Sequence, residues 1–396
     1  MKKVYYSIIL TYFFVLPTFA NDCLDNFNHH IYDNGEQVDL GFCHLKDTDM
    51  PQVASLLSQM PLLQDLWLNG NEIGSKGISY LESNPTISYL NISDNHIGSE
   101  GAEAIAKMSM LNALEVDNNF IGDAGIVTLT QNPHMEQLVV SNNHITATGT
   151  RAIANSQVWN LSIAHNNLDF TALEELSNSK QLIWLDIGDN NITSEETKIF
   201  ANKLPNLSGL YIDENPIGDE GIKTIVQNHH KIEFLSVLEC AVGPEGAKAI
   251  ANNLPNLSTL FLSYNFVQNE GAKALSNLHK LQTLELGDDW IRNQGANALA
   301  KNKSIINLDL DRNFIDNKGA VSLAQNTRLS YLSIRFNYLG DAGIAALKTS
   351  SINQVNTRGN YPDYTDRLLM GTEKSNKKIC KTVSNQICTA WISRPK

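Results

Sequence analysis

Apolar and polar residues alternate along this chain in short bursts of the form Leu-x-Leu, and the bursts return every 23 to 25 residues. Leu90-Asn91-Ile92 shows the period of two that belongs to a strand with one face turned inward. Farther along each unit the apolar spacing changes to three and four, as in Gly246-Ala247-Lys248-Ala249-Ile250, which predicts a short helix. Each unit therefore reads strand, turn, helix, return. The leading apolar column runs Leu63, Ile87, Leu111, Met135, Val158, Leu182, Leu207, Ile232, Leu257, Leu281, Ile305, Leu329 and Ile352. Parallel columns begin at Leu66, Leu68 and Ile73.

Between strand and helix stands an asparagine, at 71, 95, 119, 143, 166, 190, 215, 265, 313, 337 and 360, with Cys240 and Asp289 in the two remaining places. A repeat of this length marks a solenoid, because one unit cannot bury enough apolar surface to offset the entropy of ordering its backbone. An amide both donates and accepts, so each asparagine is expected to satisfy backbone groups in its own turn and in the neighbouring one. A thiol does this weakly. A buried carboxylate at 289 would have to be protonated or find an extra donor, and the alternative is a solvated or locally paired Asp289. Ser99, Asp123, Ser194, Asp219 and Asp341 stand where each would cap its own helix. The expected fold is an α/β solenoid curved like a horseshoe, with a parallel sheet on the concave side and short helices outside. Its divisions are a signal peptide over 1–20, a cap over 21–62, twelve repeats and a half over 63–360, and a cap or tail over 361–396.

Units such as Glu245-Gly246-Ala247-Lys248-Ala249-Ile250-Ala251, Glu270-Gly271-Ala272-Lys273-Ala274-Leu275 and Gln294-Gly295-Ala296-Asn297-Ala298-Leu299-Ala300 resemble the leucine-rich repeats of the ribonuclease-inhibitor-like class, and most closely its bacterial GALA-type variant of 24 residues. The resemblance covers residues 63–360 and implies a scaffold that binds proteins through its concave sheet. GALA-type effectors also carry an F-box. Residues 21–60 show no such pattern, so the ubiquitin-linked role is not carried over.

Charge sharpens this reading. Net charge is −12, and the strand slots expected to face solvent hold many of the acids, among them Asp186, Asp213, Glu285, Asp309 and Asp311, opposed there by Arg312 and Arg335. An acidic face disfavours nucleic acid and favours a basic protein. The same slots hold Trp184, Tyr211, Phe234, Phe261, Tyr264, Tyr331 and Phe336, and large rigid rings are frequent interface anchors. These residues form the expected partner-binding set. A second apolar strip is expected from Phe266, Trp290, Phe314 and Tyr338, each one place after the asparagine position in four consecutive units. It would serve for docking or lie beneath the C-terminal tail, whose residues 361–396 carry seven Lys or Arg against three acids.

Lys2 and Lys3 precede an apolar run from Val4 to Phe19 that ends Thr18-Phe19-Ala20, the form of a cleaved secretory signal. A secreted or periplasmic chain is therefore expected, with no stable membrane insertion after cleavage. Such a chain keeps disulfides, and the expected bridges are Cys23–Cys43 and Cys380–Cys388, with Cys240 free. Metal ligands and cofactors are not expected, since His29, His30, His229 and His230 have no partners at ligand spacing. A catalytic set drawn from Ser162, His165 and Asp189 has nothing to orient it, so no enzyme is expected. Sequons at Asn91 and Asn160 fall on concave strands and are read as chance in a bacterial chain. The resulting expectation is a monomeric protein-binding scaffold, a bacterial effector or host-interaction protein, with a glycan-binding or adhesion protein of the cell envelope as the alternative.

Overall fold

The computed structural model describes residues 20–200 and 203–360. The expected signal segment, apart from Ala20, lies outside the described residues, as do the tail and the expected Cys380–Cys388 bridge.

Among the described residues fifteen strands form one sheet whose order is the chain order. They are Ile31–Tyr32 (β1), Gln37–Asp39 (β2), Asp65–Trp67 (β3), Tyr89–Asn91 (β4), Ala113–Glu115 (β5), Gln137–Val139 (β6), Asn160–Ser162 (β7), Trp184–Asp186 (β8), Gly209–Tyr211 (β9), Phe234–Ser236 (β10), Thr259–Phe261 (β11), Thr283–Glu285 (β12), Asn307–Asp309 (β13), Tyr331–Ser333 (β14) and Gln354–Asn356 (β15). β2 to β15 run parallel, while β1 pairs antiparallel with β2. The central residue of nearly every parallel strand, Leu66, Leu90 and so on to Leu332, is buried, and the leading column from Leu63 to Ile352 is buried with it. Each return segment packs on the next, so one continuous core fills the solenoid. Strands stack about 4.8 Å apart whereas packed helices need about 8–10 Å, so the sheet takes the inside of the curve.

The asparagine column behaves as its chemistry requires. Asn143 is fully buried; its Oδ1 accepts from the Asn119 and Ile121 N–H groups of the preceding coil, and its Nδ2 donates to the Val116 and Ser141 carbonyls. Cys240 keeps half of this pattern, donating Sγ–H toward the Ile212 and Leu238 carbonyls. Ile217, whose N–H would meet an asparagine oxygen, turns to the Asn215 carbonyl instead. Asp289 corrects the solvated alternative: it is fully buried, Oδ1 accepts from the Val267 N–H at 3.3 Å, and Oδ2 is, among the described residues, the one buried side-chain oxygen or nitrogen without a hydrogen-bond partner. Burial first, then the neighbouring Asp288 charge, pushes its carboxyl well above the usual range. A neutral acid there keeps an O–H to donate, as the asparagine amide does.

Helix starts differ from expectation. Asp123 and Asp219 do not cap their own helices but reach one coil forward, Asp123 Oδ1 accepting from Thr146 and Gly149 N–H and Asp219 Oδ1 from Gly243 and Gly246 N–H. Asn269, Asn293 and Asn317 do the same for the coils that follow. The helix at Gly98–Ala106 carries no side-chain cap, and the one at Asp341–Lys348 is capped by Asn317 of the preceding coil rather than by Asp341. Side by side, helices offer the donors of one to the acceptors of the next, so capping becomes another bond between coils. Gly101 explains the glycine of each helix: a Cβ there would sit 3.2 Å from the Ser75 backbone and 2.5 Å from Ile97 Cγ2.

The Cys23–Cys43 bridge forms. Residues 37–57, within the segment assigned to the cap, already follow the plan of a coil, with β2 in register with β3 and a helix at Met50–Leu57. Asn71 donates to the Leu40 carbonyl and accepts from the Leu45 N–H, which puts Cys43 in the asparagine position of this first coil. The expectation that the histidines lack partners at ligand distance is corrected at His30. His229 is buried between the Ile225 and Lys203 carbonyls, and the fold brings a His30 ring nitrogen within 4.8 Å of both Cys23 and Cys43 sulfurs. The disulfide already occupies those sulfurs.

Candidate functional site

Strand register lays the concave face out in rows. The first strand positions place Trp184, Gly209 and Phe234 side by side, and the third positions place Asp186, Tyr211, Ser236, Phe261, Glu285 and Asp309 in line. Large rings thus alternate with small residues, and the small residues are where the rings lie. A Cβ on Gly209 would sit 2.1 Å from Trp184 Cε3, so the indole rests flat across the β9 backbone. From there it meets Tyr211 at 6.4 Å and Phe234 at 5.4 Å between centroids; Phe234 meets Tyr211 at 4.5 Å and Phe261 edge-on at 5.3 Å. Gly209 is the residue that sequence reasoning missed. Its signal was available, a glycine in a strand slot between two aromatic ones.

The remaining expected residues are distributed along the same face. Tyr264 stands 40% exposed, and Phe336 lies over Gly359 with the Arg312 guanidinium 5.1 Å above its ring. Tyr331 is half-buried in the first-position row, three coils from Phe261. Two slots assigned to solvent are covered. Phe234 is only 8% exposed because the three rings surround it, and Asp311 is 6% exposed because Ser333 Oγ, Arg335 N–H and the Arg335 guanidinium all donate to it.

Acids frame the ring cluster on both sides. Asp186 accepts from Ser162 Oγ–H and Gly188 N–H, and Asp213 from Ser236 Oγ–H and Leu238 N–H. Burial, reinforced by Asp186 and Glu214, pushes Asp213 up to about 6. Burial and then Asp309, Asp213 and Asp311 push Glu285 up to about 7, while burial and then Asp311 push Asp309 up to about 6. Glu285 and Asp309 are direct neighbours in the ladder, where like charges repel. A cation brought between them would relieve that repulsion and displace protons held near neutral pH.

A smaller group stands near the N-terminal end of the sheet, where Trp67 and Tyr89 lie 5.3 Å apart beside Glu115, whose carboxyl burial raises. The Ser162, His165 and Asp189 residues do not form a relay. Ser162 donates to Asp186, and His165 Nδ1 pairs separately with Asp189 at 2.8 Å.

The second strip is assembled along the rim. Phe266 meets Trp290 edge-on at 5.9 Å, Phe314 stacks on Tyr338 at 6.0 Å, and Arg292 lies 5.2 Å above Phe314. All four rings are half-buried. Among the described residues no helix is long and apolar enough to cross a membrane.

Residues 83–106, 131–154, 253–276 and 325–348 match the family described as Leucine Rich repeat. No curated protein matches the chain by sequence. Among solved structures it is similar to an internalin (inlF) from Listeria monocytogenes, at 18% identity and a TM-score of 0.43, over 77% of this chain and 83% of that one. It is also similar to the mouse RP105/MD-1 complex, at 16% identity and a TM-score of 0.52, over 86% of this chain and 62% of that one. The second likeness is one of fold.

Proposed function

Starting from a chain that is a leucine-rich repeat protein, we propose that it is a secreted scaffold whose concave face grips a protein partner through a basic, partly apolar segment. The observation that carries this reading is the ring cluster of Trp184, Tyr211, Phe234 and Phe261, spread over four successive strands and flanked by carboxylates. Packing of the sheet does not require it, since the buried leucines of these strands already fill the core beneath. Rigid rings give contact area at little entropic cost, and the flanking acids would select lysine or arginine from the partner. Tyr264, Tyr331 and Phe336 extend the surface toward the C-terminal coils. The Cys23–Cys43 bridge supports an oxidising, extracellular or periplasmic setting. A bacterial effector or host-interaction protein is the natural elaboration, acting as a monomer.

The test is affinity capture from host extract with the mature chain, compared with the Trp184→Ala/Tyr211→Ala/Phe261→Ala variant. Captured protein should fall to background while the thermal midpoint moves by only a few degrees. Undiminished capture by a folded triple variant would remove the concave face from the account. Hits on a glycan array that vanish in the same variant would instead assign the face to carbohydrate.

A further inference from the structure

At the N-terminal end of the sheet the chain gathers two sulfurs and an imidazole, a set apart from the concave ring cluster. Cys23 comes from the helix Ala20–Asp25, His30 ends the short turn Phe27–His30 that leads into β1, and Cys43 stands in the asparagine position of the first coil. One ligand atom from each lies within 4.8 Å of the other two. Cys43 is buried while Cys23 and His30 are half-buried, so the set is sealed toward the core and reachable from outside. The His30 ring is also held in a tautomer suited to ligation. Its Nδ1 lies 2.7 Å from the Asp39 carbonyl oxygen, which can only accept, so Nδ1 carries the proton and the lone pair of the neutral ring is at Nε2. Metal-binding histidines are oriented by a second hydrogen bond of this kind.

We propose that Cys23, His30 and Cys43 form a redox-gated site for one thiophilic divalent cation, with zinc as the reference ion: the bridge keeps it closed, and reduction opens it. Thiol–disulfide exchange with a small thiol supplies two electrons and two protons; the S–S bond breaks, two cysteine thiols form, and the small thiol leaves as its own disulfide. Rotation about Cα–Cβ then lets the sulfurs part to nonbonded contact. Two sulfurs at about 2.3 Å from a tetrahedral zinc stand about 3.7 Å apart, which is that contact distance. Binding the cation releases the two thiol protons to solvent and gives three protein ligands, two thiolates and one imidazole nitrogen, with a fourth position left for water. Soft thiolates favour zinc over magnesium or calcium. The bridge, or the cation in its stead, ties the segment that carries buried Phe27 to the first coil, so this end of the core stays covered in either redox state.

Cobalt(II) is the probe, because tetrahedral thiolate ligation gives it visible absorption and a near-ultraviolet charge-transfer band. The mature chain carrying Cys380→Ser/Cys388→Ser, in which Cys240 is the one other thiol, is reduced with a phosphine, desalted under nitrogen and titrated beside the same chain left oxidised. The reduced chain should take up one equivalent of cobalt with both bands, and zinc should abolish them and raise its unfolding midpoint by several degrees. The oxidised chain should show neither response. His30→Ala should weaken cobalt binding about a hundredfold, and Cys240→Ser should leave it unchanged. A reduced chain with the circular dichroism of the folded array but no thiolate band would overturn the proposal. So would a His30→Ala variant that binds as tightly as its parent, bands that vanish in Cys240→Ser, or a reduced chain that unfolds and does not recover with zinc.

Discussion

The asparagine column and the concave strand rows are built from the same coils, yet one is nearly uniform and the other is not. At the column each coil repeats one amide making the same bonds to its neighbour, because every coil faces the same need: two backbone donors and several carbonyls with no water within reach. On the rows, coils three apart share almost nothing; Trp184, Gly209 and Phe234 give way to Thr259 and Thr283 at the same strand position. Repetition marks what stacking requires, and departure from it marks what the stack is for. Asp289 is the instructive exception, a departure inside the uniform column.

The largest effect expected from breaking this comparison comes at the column. Asn143→Ala strands the Asn119 and Ile121 N–H groups and removes one of two donors from each of the Val116 and Ser141 carbonyls, and should cost roughly 3–5 kcal/mol in chemical denaturation. A loss below about 1 kcal/mol would mean water replaces the amide. Asp289→Asn should act in the opposite direction, giving Oδ2 a donating replacement and stabilising by about 1–3 kcal/mol at neutral pH, read as a higher unfolding midpoint. If that variant is destabilised, the carboxyl is doing something an amide does not.

Smaller effects belong to the rows. Gly209→Ala places a methyl where the Trp184 ring lies and should weaken partner capture about tenfold, or about 1.4 kcal/mol, with the Trp184 emission shifting to the red. An unchanged affinity would show that the indole's position is incidental. The smallest is a pH slope. Asp213, Glu285 and Asp309 keep their protons up to about 6 or 7 when folded, whereas their ordinary values are 3.8 for Asp and 4.5 for Glu. Between about pH 4 and 7 the folded chain binds more protons than the unfolded one, so this contribution to stability is full below pH 4 and is lost as pH rises. Capture of a basic partner runs the other way, strengthening from pH 5 to 8. Glu285→Gln should flatten both slopes, and a titration that leaves both unaltered would detach Glu285 from the site.

Much of the architecture was legible before any coordinates. Column membership predicted burial from Leu63 to Ile352 because a period of 24 leaves no freedom in which side chains face inward. The Cys23–Cys43 bridge was legible as well, from the two cysteines that precede the array. Helix capping was misread because Asp123 and Asp219 satisfy the neighbour's N–H groups, and a linear pattern cannot tell a bond within a coil from one between coils. The solvent-facing rows were drawn with every slot open, and Phe234 and Asp311 turned out covered by residues one or two coils away.

What the sequence by itself determined is the repeat: its length, its inward columns and the amide that stitches them, all properties of nearest neighbours along the chain. Tertiary structure alone decided how side chains 23 to 25 residues apart meet across the stack. It laid Trp184 upon Gly209, put Glu285 beside Asp309 and sealed Asp289 from water. The reason is physical. Burial and ring contact depend on side-chain shape in adjacent coils, and the repeat fixes only that the coils are adjacent.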